Sequence, residues 1–246
     1  MRENILYFSL KYLGNWDRIF DALNNREKIN VIEKKKLLTD NKAKYITIYD
    51  KDYPEILKGI EKPPFVIYYY GNLELLNKKV KSMYFNSIVN NDKIETIRKY
   101  IKKEYKDSTK LFLVNAITST ELKKLSKSIV DKNSIGILPS GIDACYEKKS
   151  LPLFTTLKKD GLIISLYPGI VNNSQEVLKE TLRLMSIFSS EIFMPKVKKN
   201  LESYYLLTYC IENENKLSTI SLENFNGFAN NFLIKEGAKN IMEKNN

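Results

Sequence analysis

Two short apolar runs separated by a polar segment constrain the fold of this chain more than any other feature. The runs are residues 135–138 and 162–166, and each is followed by a turn signal containing proline and glycine. The polar segment between them, 145–160, is long enough for a helix, and parallel strands need a connection of about a dozen residues or more. The pattern therefore predicts a strand, a crossover and a parallel strand. A ligand site is expected in the loop after the first strand, because such loops build the sites of open α/β sheets.

The rest of the chain continues this alternation of apolar runs and amphipathic segments. Further strands are predicted at residues 45–49, 65–70, 80–88, 111–114, 191–194 and 217–222, and helices at 92–105, 120–130, 175–188 and 201–211. Residues 4–38 have apolar spacings near 3.6 and indicate a small helical unit. Asn15 and Asn200 are placed to cap helices. We therefore predict an α/β fold with a doubly wound, mostly parallel sheet, in which five or six of the strands are separated by helical crossovers.

The composition excludes several classes of chemistry. The chain has no histidine and only two cysteines, which excludes Ser-His or Cys-His catalysis and a structural zinc site and argues against a disulfide framework. No apolar run reaches the roughly 18 residues of a membrane span, and no signal peptide is evident, so a cytoplasmic protein without membrane contact is expected. The net charge of +11 favours an anionic partner such as nucleic acid. A composition rich in Lys, Asn and Ile, as AT-rich genomes encode, explains the charge equally simply.

Four short motifs then follow one another along the chain. They are Asp52-Tyr53-Pro54 with Pro63-Pro64 and Gly71-Asn72; Gly136-Ile137-Leu138 with Gly141, Asp143 and Tyr146; Gly161 with Ser165 and Tyr167-Pro168; and Asn231 with Leu233-Ile234 and Gly237-Ala238. In these motifs and their order the chain resembles the DprA/Smf family of bacterial DNA-processing proteins. The resemblance implies an extended Rossmann-like core at 43–246 behind a small helical, SAM-like domain at 1–42.

The same resemblance implies a function. Members of the family bind single-stranded DNA and load a RecA-type recombinase onto it during natural transformation, without enzymatic activity and without a cofactor. The implied partners are therefore single-stranded DNA, the recombinase and a second copy of the chain as a homodimer. The implied DNA-binding residues are Ser87, Gly141, Asp143, Lys148, Lys149 and Arg183, with no catalytic residue and no metal ligand.

Several of these positions depart from the family pattern. The family's Gly-Ser-Arg phosphate loop is Asn86-Ser87-Ile88 here, and its second glycine-rich loop, at residues 115–122, has lost both glycines and its aspartate. Glycine lets backbone approach a phosphate closely and arginine supplies a bidentate charged fork, so these losses weaken the expected site. Arg183 is the arginine that remains of an Arg-Asn-Arg motif.

Each candidate also has a purely structural interpretation. Gly141 and Asp143 form either a phosphate-binding loop or a plain turn whose aspartate caps the next helix. Lys148 and Lys149 either contact the DNA backbone or are a solvated pair. Ser87 either binds a phosphate or caps a helix. The whole chain is accordingly a single-stranded DNA binder or, alternatively, a scaffold or dimerisation module that has lost binding. A third interpretation is a Rossmann-like nucleotide hydrolase. It is disfavoured because the Pro-Gly-Gly-x-Gly-Thr loop of such enzymes is absent from this sequence.

Overall fold

The computed structural model describes residues 1–85, 91–114, 130–144, 151–221 and 228–242. Within these residues the helices are α1 (Arg2–Lys11), α2 (Trp16–Asn24), α3 (Val31–Asp40), α4 (Glu55–Lys58), α5 (Asn91–Glu104), α6 (Leu151–Asp160), α7 (Gln175–Phe188), α8 (Leu201–Glu212) and α9 (Asn230–Lys235), with a 3₁₀ helix at Leu73–Asn77. The strands are β1 (Lys44–Thr47), β2 (Val66–Gly71), β3 (Val80–Met83), β4 (Thr109–Leu113), β5 (Ser134–Ile137), β6 (Leu162–Ser165), β7 (Ser189–Met194), β8 (Lys216–Thr219) and β9 (Lys239–Asn240). The predicted helix at 120–130 falls almost entirely outside the described residues.

The described strands form one sheet, in the order β1-β2-β6-β5-β4-β3-β7-β8-β9. Strands β3 to β9 run parallel, and β2 and β1 are added antiparallel beside β6. This confirms the predicted α/β fold with a doubly wound, mostly parallel sheet. The predicted number of parallel strands was too low, because β9 pairs over only two residues and leaves no apolar run in the sequence.

Both faces of the sheet are covered by helices. Leu111 and Leu113 of β4 point into the core under α7 and α8, whereas Phe112 between them points into the core under α5 and α6. Parallel strands buried on both faces are near-continuous apolar runs, which is why β4, β5 and β6 were readily predicted. The unit β5, α6, β6 is the predicted strand, crossover and parallel strand, with Ile135 paired to Leu162.

The sheet order determines where a ligand site lies. All seven parallel strands end at one edge, and the loops that follow them meet there. Strand β3 has β4 on one side and β7 on the other, so the direction of winding reverses at β3. Ligands of open α/β sheets bind at the carboxyl edge beside such a reversal.

The N-terminal helices pack against the same sheet. Asn15 caps α2 as predicted, accepting a hydrogen bond from the Arg18 amide at 3.0 Å. Trp16 stacks with Phe20 and Phe65, with ring centroids 5.0 and 5.3 Å apart, and its indole nitrogen donates to the Pro63 carbonyl. These aromatic side chains therefore join the helices to the sheet. The division into domains at residue 42 stays a prediction.

Packing explains the first of the four sequence motifs. The buried Tyr53 hydroxyl donates to the Pro64 carbonyl at 2.7 Å, which fixes the chain where it enters β2. Gly71 ends β2 with φ +100°, and a Cβ there would lie 2.2 Å from the Gly161 carbonyl oxygen. Only glycine combines that backbone conformation with so close an approach. These residues build the fold and are not part of a binding surface.

Candidate nucleic-acid interface

Two loops at the carboxyl edge are joined by backbone hydrogen bonds. The loop after β5 donates from the Gly141, Ile142 and Asp143 amides to carbonyls of the loop after β6, at 2.9, 3.0 and 2.9 Å. The accepting carbonyls belong to Val171, Tyr167 and Gly169. We call residues 138–144 and 166–171 together the paired loops. Their backbone forms a small ladder beyond the sheet, so both loops are rigidly positioned.

Gly141 lies tightly against the backbone of the loop after β6. A Cβ at this position would lie 2.2 Å from the Gly169 carbonyl oxygen, 2.4 Å from the Val171 nitrogen and 2.7 Å from the Pro168 carbonyl oxygen. All three neighbours are backbone atoms, which cannot move aside as a flexible side chain does. The glycine predicted as a DNA-binding residue therefore has a structural task that is independent of any ligand.

Asp143 is exposed at the surface of the paired loops. Its carboxylate accepts a hydrogen bond from the Tyr70 hydroxyl at 2.5 Å, and the Lys158 ammonium lies 3.8 Å from the centroid of the Tyr70 ring. Burial and the neighbouring Asp143 carboxylate raise the pKa of Tyr70, so the phenol stays protonated as the donor. The phosphate-binding and helix-capping roles that the sequence offers for Asp143 stay predictions, and the structure adds a phenol that orients its carboxylate.

Two serines lie beneath the paired loops. The Ser165 hydroxyl donates to the Ser140 carbonyl at 2.5 Å and accepts from the Tyr167 amide at 2.9 Å. The Ser140 hydroxyl is fully buried and has no hydrogen-bond partner in the described part of the chain. Buried polar groups are rarely left unpaired, and each exception calls for an explanation such as local strain, a bound water or an ion.

Arg183 lies away from the strand ends. It is eight residues into α7, about 12 Å along the axis from the start of the helix. Its guanidinium donates to the Glu61 and Lys62 carbonyls at 3.1 and 3.0 Å and to the Glu180 carboxylate at 2.9 Å. Lys62 has a left-handed φ of +51°, so Arg183 stabilises a strained turn. Its predicted contact with DNA stays a prediction, and the structure adds a structural role.

Three predicted site residues, Ser87, Lys148 and Lys149, lie outside the described residues, as do the departures at residues 86–88 and 115–122. The structure therefore brings together Gly141 and Asp143 among the candidates. For Ser87, Lys148 and Lys149, DNA binding stays a prediction from the family resemblance.

The loop after β7 is a feature that the sequence reading missed. It runs through residues 195–200 and carries Lys196, Lys198 and Lys199. Because β7 pairs with β3, this loop lies at the reversal in the sheet, where a ligand of an open α/β sheet is expected. The signal was a run of lysines directly after a strand, but its importance depends on the strand order, which the sequence alone did not supply.

A cavity of about 290 Å³ lies behind the paired loops, between the N-terminal helices and α7. Tyr167 lines it together with Trp16, Glu176 and Arg183. Burial and the nearby Glu180 and Glu176 carboxylates raise the pKa of Tyr167. The cavity mixes charges of both signs, including the Glu176 and Glu180 carboxylates, so we do not assign it to nucleic acid.

The described residues form neither a metal site nor a reactive thiol. Across the described ranges, no group of three or more acidic or cysteine side chains is arranged to hold a metal ion. Cys210 is a free, buried thiol whose pKa is raised to about 12 by burial, so it is a poor nucleophile. Likewise, none of the helices within the described residues is long and apolar enough to cross a membrane.

Comparison with known proteins agrees with the motifs. The family model for DNA recombination-mediator protein A matches residues 44–108. Protein Smf of Borreliella burgdorferi is 24% identical over 150 residues, which are 61% of this chain and 47% of that protein. The match thus spans about half the length of this curated relative.

Two solved structures share the fold. DNA processing protein A (DprA) from Streptococcus pneumoniae matches with a TM-score of 0.76 and 17% identity, over 97% of this chain and 94% of that chain. DNA processing protein A from Helicobacter pylori, solved to describe its single-stranded DNA binding mode, matches with a TM-score of 0.68 and 16% identity. That match covers 81% of this chain and 92% of the other. The fold is that of these two structures, and in its family model, curated relative and motif order the chain is similar to the DprA/Smf family.

Proposed function

We propose that this chain binds single-stranded DNA along the carboxyl edge of its sheet and serves in DNA processing during uptake and recombination. The observation that carries the proposal is the pair of hydrogen-bonded loops at that edge, which preserve Gly141 and Asp143 and enclose the unpartnered Ser140 hydroxyl. The family and the net charge of +11 support the same partner. Binding is to phosphates, through lysines, and no catalytic step is part of it.

The finer parts of the proposal follow from the family. The bound strand is handed to a RecA-type recombinase, and the working unit is a homodimer in the cytoplasm. Lys148 and Lys149, which follow the paired loops in sequence, are the proposed backbone contacts on that side of the edge. Proteins that bind single strands without sequence preference use such a cationic groove.

A second function, a scaffold or dimerisation module without DNA binding, is favoured by one specific observation. The guanidinium of Arg183 is engaged with two carbonyls and a carboxylate, so the arginine left from the family motif already holds the fold together. The replacement of the family's glycine and arginine by Asn86 and Ile88, and of the glycines and aspartate at residues 115–122, also favours the scaffold.

Fluorescence anisotropy of a labelled oligonucleotide distinguishes the two. We expect binding at 50 mM salt that weakens on the order of 100-fold by 200 mM, if about five phosphates are contacted at a slope near −0.7 per contact. A duplex of the same sequence, as competitor, should displace the labelled strand less well than unlabelled single strand. If the anisotropy does not rise at 50 mM salt, the DNA-binding function is wrong and the scaffold remains.

A further inference from the structure

The loop after β7, residues 195–200, is held in one conformation by a buried side chain from a distant part of the chain. The Asn230 side-chain Oδ1 accepts a hydrogen bond from the Val197 amide at 2.9 Å. The Asn230 amide nitrogen donates toward the Pro195 carbonyl, the Thr219 hydroxyl and the Ile220 carbonyl, at 3.0, 2.6 and 3.1 Å. Asn230 is 1% exposed, so these bonds are shielded from water. The loop therefore needs little further ordering on binding a ligand.

Both ends of the loop are also fixed. The Ser203 hydroxyl of α8 donates to the Lys198 carbonyl at 2.6 Å, and Asn200 caps α8 by accepting from the Ser203 amide at 3.0 Å, as the sequence predicted. The Lys196 ammonium lies 4.4 Å from the centroid of the Phe228 ring. Lys198 and Lys199 are exposed. The fold thus presents a pair of exposed cations on a rigid loop.

The strand before this loop is the neighbour of β3, and β3 precedes the position where the family's arginine is replaced. Strand β7 neighbours β3, and β3 is followed by residues 86–88, where the family's arginine is replaced by Ile88. The paired loops follow β5 and β6, so the loop after β7 lies three strand spacings from β5, about 14 Å across the edge. A DNA strand lying across the carboxyl edge would contact both the paired loops and the loop after β7.

We propose that Lys198 and Lys199, supported by Lys196, form a phosphate-binding subsite for the backbone of single-stranded DNA. The subsite supplies the positive charge that the altered loop at residues 86–88 no longer carries. This inference rests on the proposed function, because it names further residues of the same binding edge. Its ligand is the sugar–phosphate backbone, so it adds affinity without sequence preference.

The test compares two charge-matched double variants in the full-length chain. Lys198→Gln with Lys199→Gln removes the pair at the edge, and Lys35→Gln with Lys36→Gln removes an exposed pair on α3. Both variants lose two positive charges from the surface, so any general effect of net charge is equal. Thermal unfolding of each variant verifies that it is folded before binding is measured.

We expect the edge variant to bind an oligonucleotide roughly 25-fold more weakly at 0.1 M salt, with a salt slope smaller by about 1.4, since each lost contact removes about 0.7. The α3 variant should bind within threefold of the original chain. Equal losses in the two variants, or no loss in either, would overturn the subsite while leaving the proposed function intact. If the original chain itself does not bind, the proposed function fails and the subsite fails with it.

Discussion

Replacing Gly141 by alanine is expected to destabilise the chain by on the order of 3 kcal/mol or more, because the new methyl group overlaps backbone on three sides. The overlaps are with the Gly169 oxygen at 2.2 Å, the Val171 nitrogen at 2.4 Å and the Pro168 oxygen at 2.7 Å. Relief requires the paired loops to separate, which breaks the three amide hydrogen bonds between them. Equilibrium unfolding in urea measures the change.

The matched control is Gly59→Ala. Gly59 has an ordinary φ of −93°, and a Cβ there meets no atom within 4 Å. We expect its free energy of unfolding to change by less than about 1 kcal/mol, because the substitution mainly reduces the freedom of the unfolded chain. Should the Gly141 and Gly59 variants prove equally stable, the close contact between the paired loops is not as described.

Replacing Asn230 by alanine is the second change with a large expected effect. It removes the side chain that binds the buried Val197 amide and the Pro195 and Ile220 carbonyls. The Thr219 hydroxyl loses one bond but still donates to the Met194 carbonyl. An unsatisfied buried group costs about 1–3 kcal/mol, so we expect a loss of about 2–4 kcal/mol in stability. At urea concentrations below the unfolding transition, the loop after β7 should also be less ordered, and the affinity for DNA should fall.

Asn231→Ala controls for this change. Asn231 is the next residue along the chain and is exposed. It is Asn231, and not Asn230, that matches the asparagine of the fourth sequence motif. Its side chain is exposed although not without a partner, so we expect its effect on stability to stay within about 1 kcal/mol. Urea unfolding and oligonucleotide anisotropy of both variants give the comparison. Similar losses for the two would show that the Asn230 side chain does not hold the loop.

Much of the fold could be predicted because its signals are local. Helix α7 has the predicted bounds, Gln175–Phe188, since its apolar face repeats at helical spacing behind a capping serine. Strands β4 to β6 could be located because strands buried on both faces contain near-continuous apolar runs, here 111–113, 135–137 and 162–164. The short β9, at Lys239–Asn240, has no such signal, and its pairing with β8 depends on the finished sheet.

The site was harder to predict because its contacts are distant in sequence. The partner of Asp143 is Tyr70, 73 residues earlier, and the partners of Arg183 are carbonyls more than 120 residues earlier. Carbonyl acceptors carry no residue signature, so the sequence presented Arg183 only as a free cation of a known motif. The lysines after β7 became relevant once the strand order placed β7 beside β3.

The central claim is that DNA lies along the carboxyl edge of the sheet, and lysine footprinting tests it most directly. The chain is acetylated with and without a saturating oligonucleotide, and the modification of each lysine is measured by mass spectrometry. We predict that DNA protects Lys148, Lys149, Lys198 and Lys199, and that Lys35 and Lys36 on α3 react equally in both samples. Protection confined to the N-terminal helices, or spread evenly over the lysines, would contradict the claim.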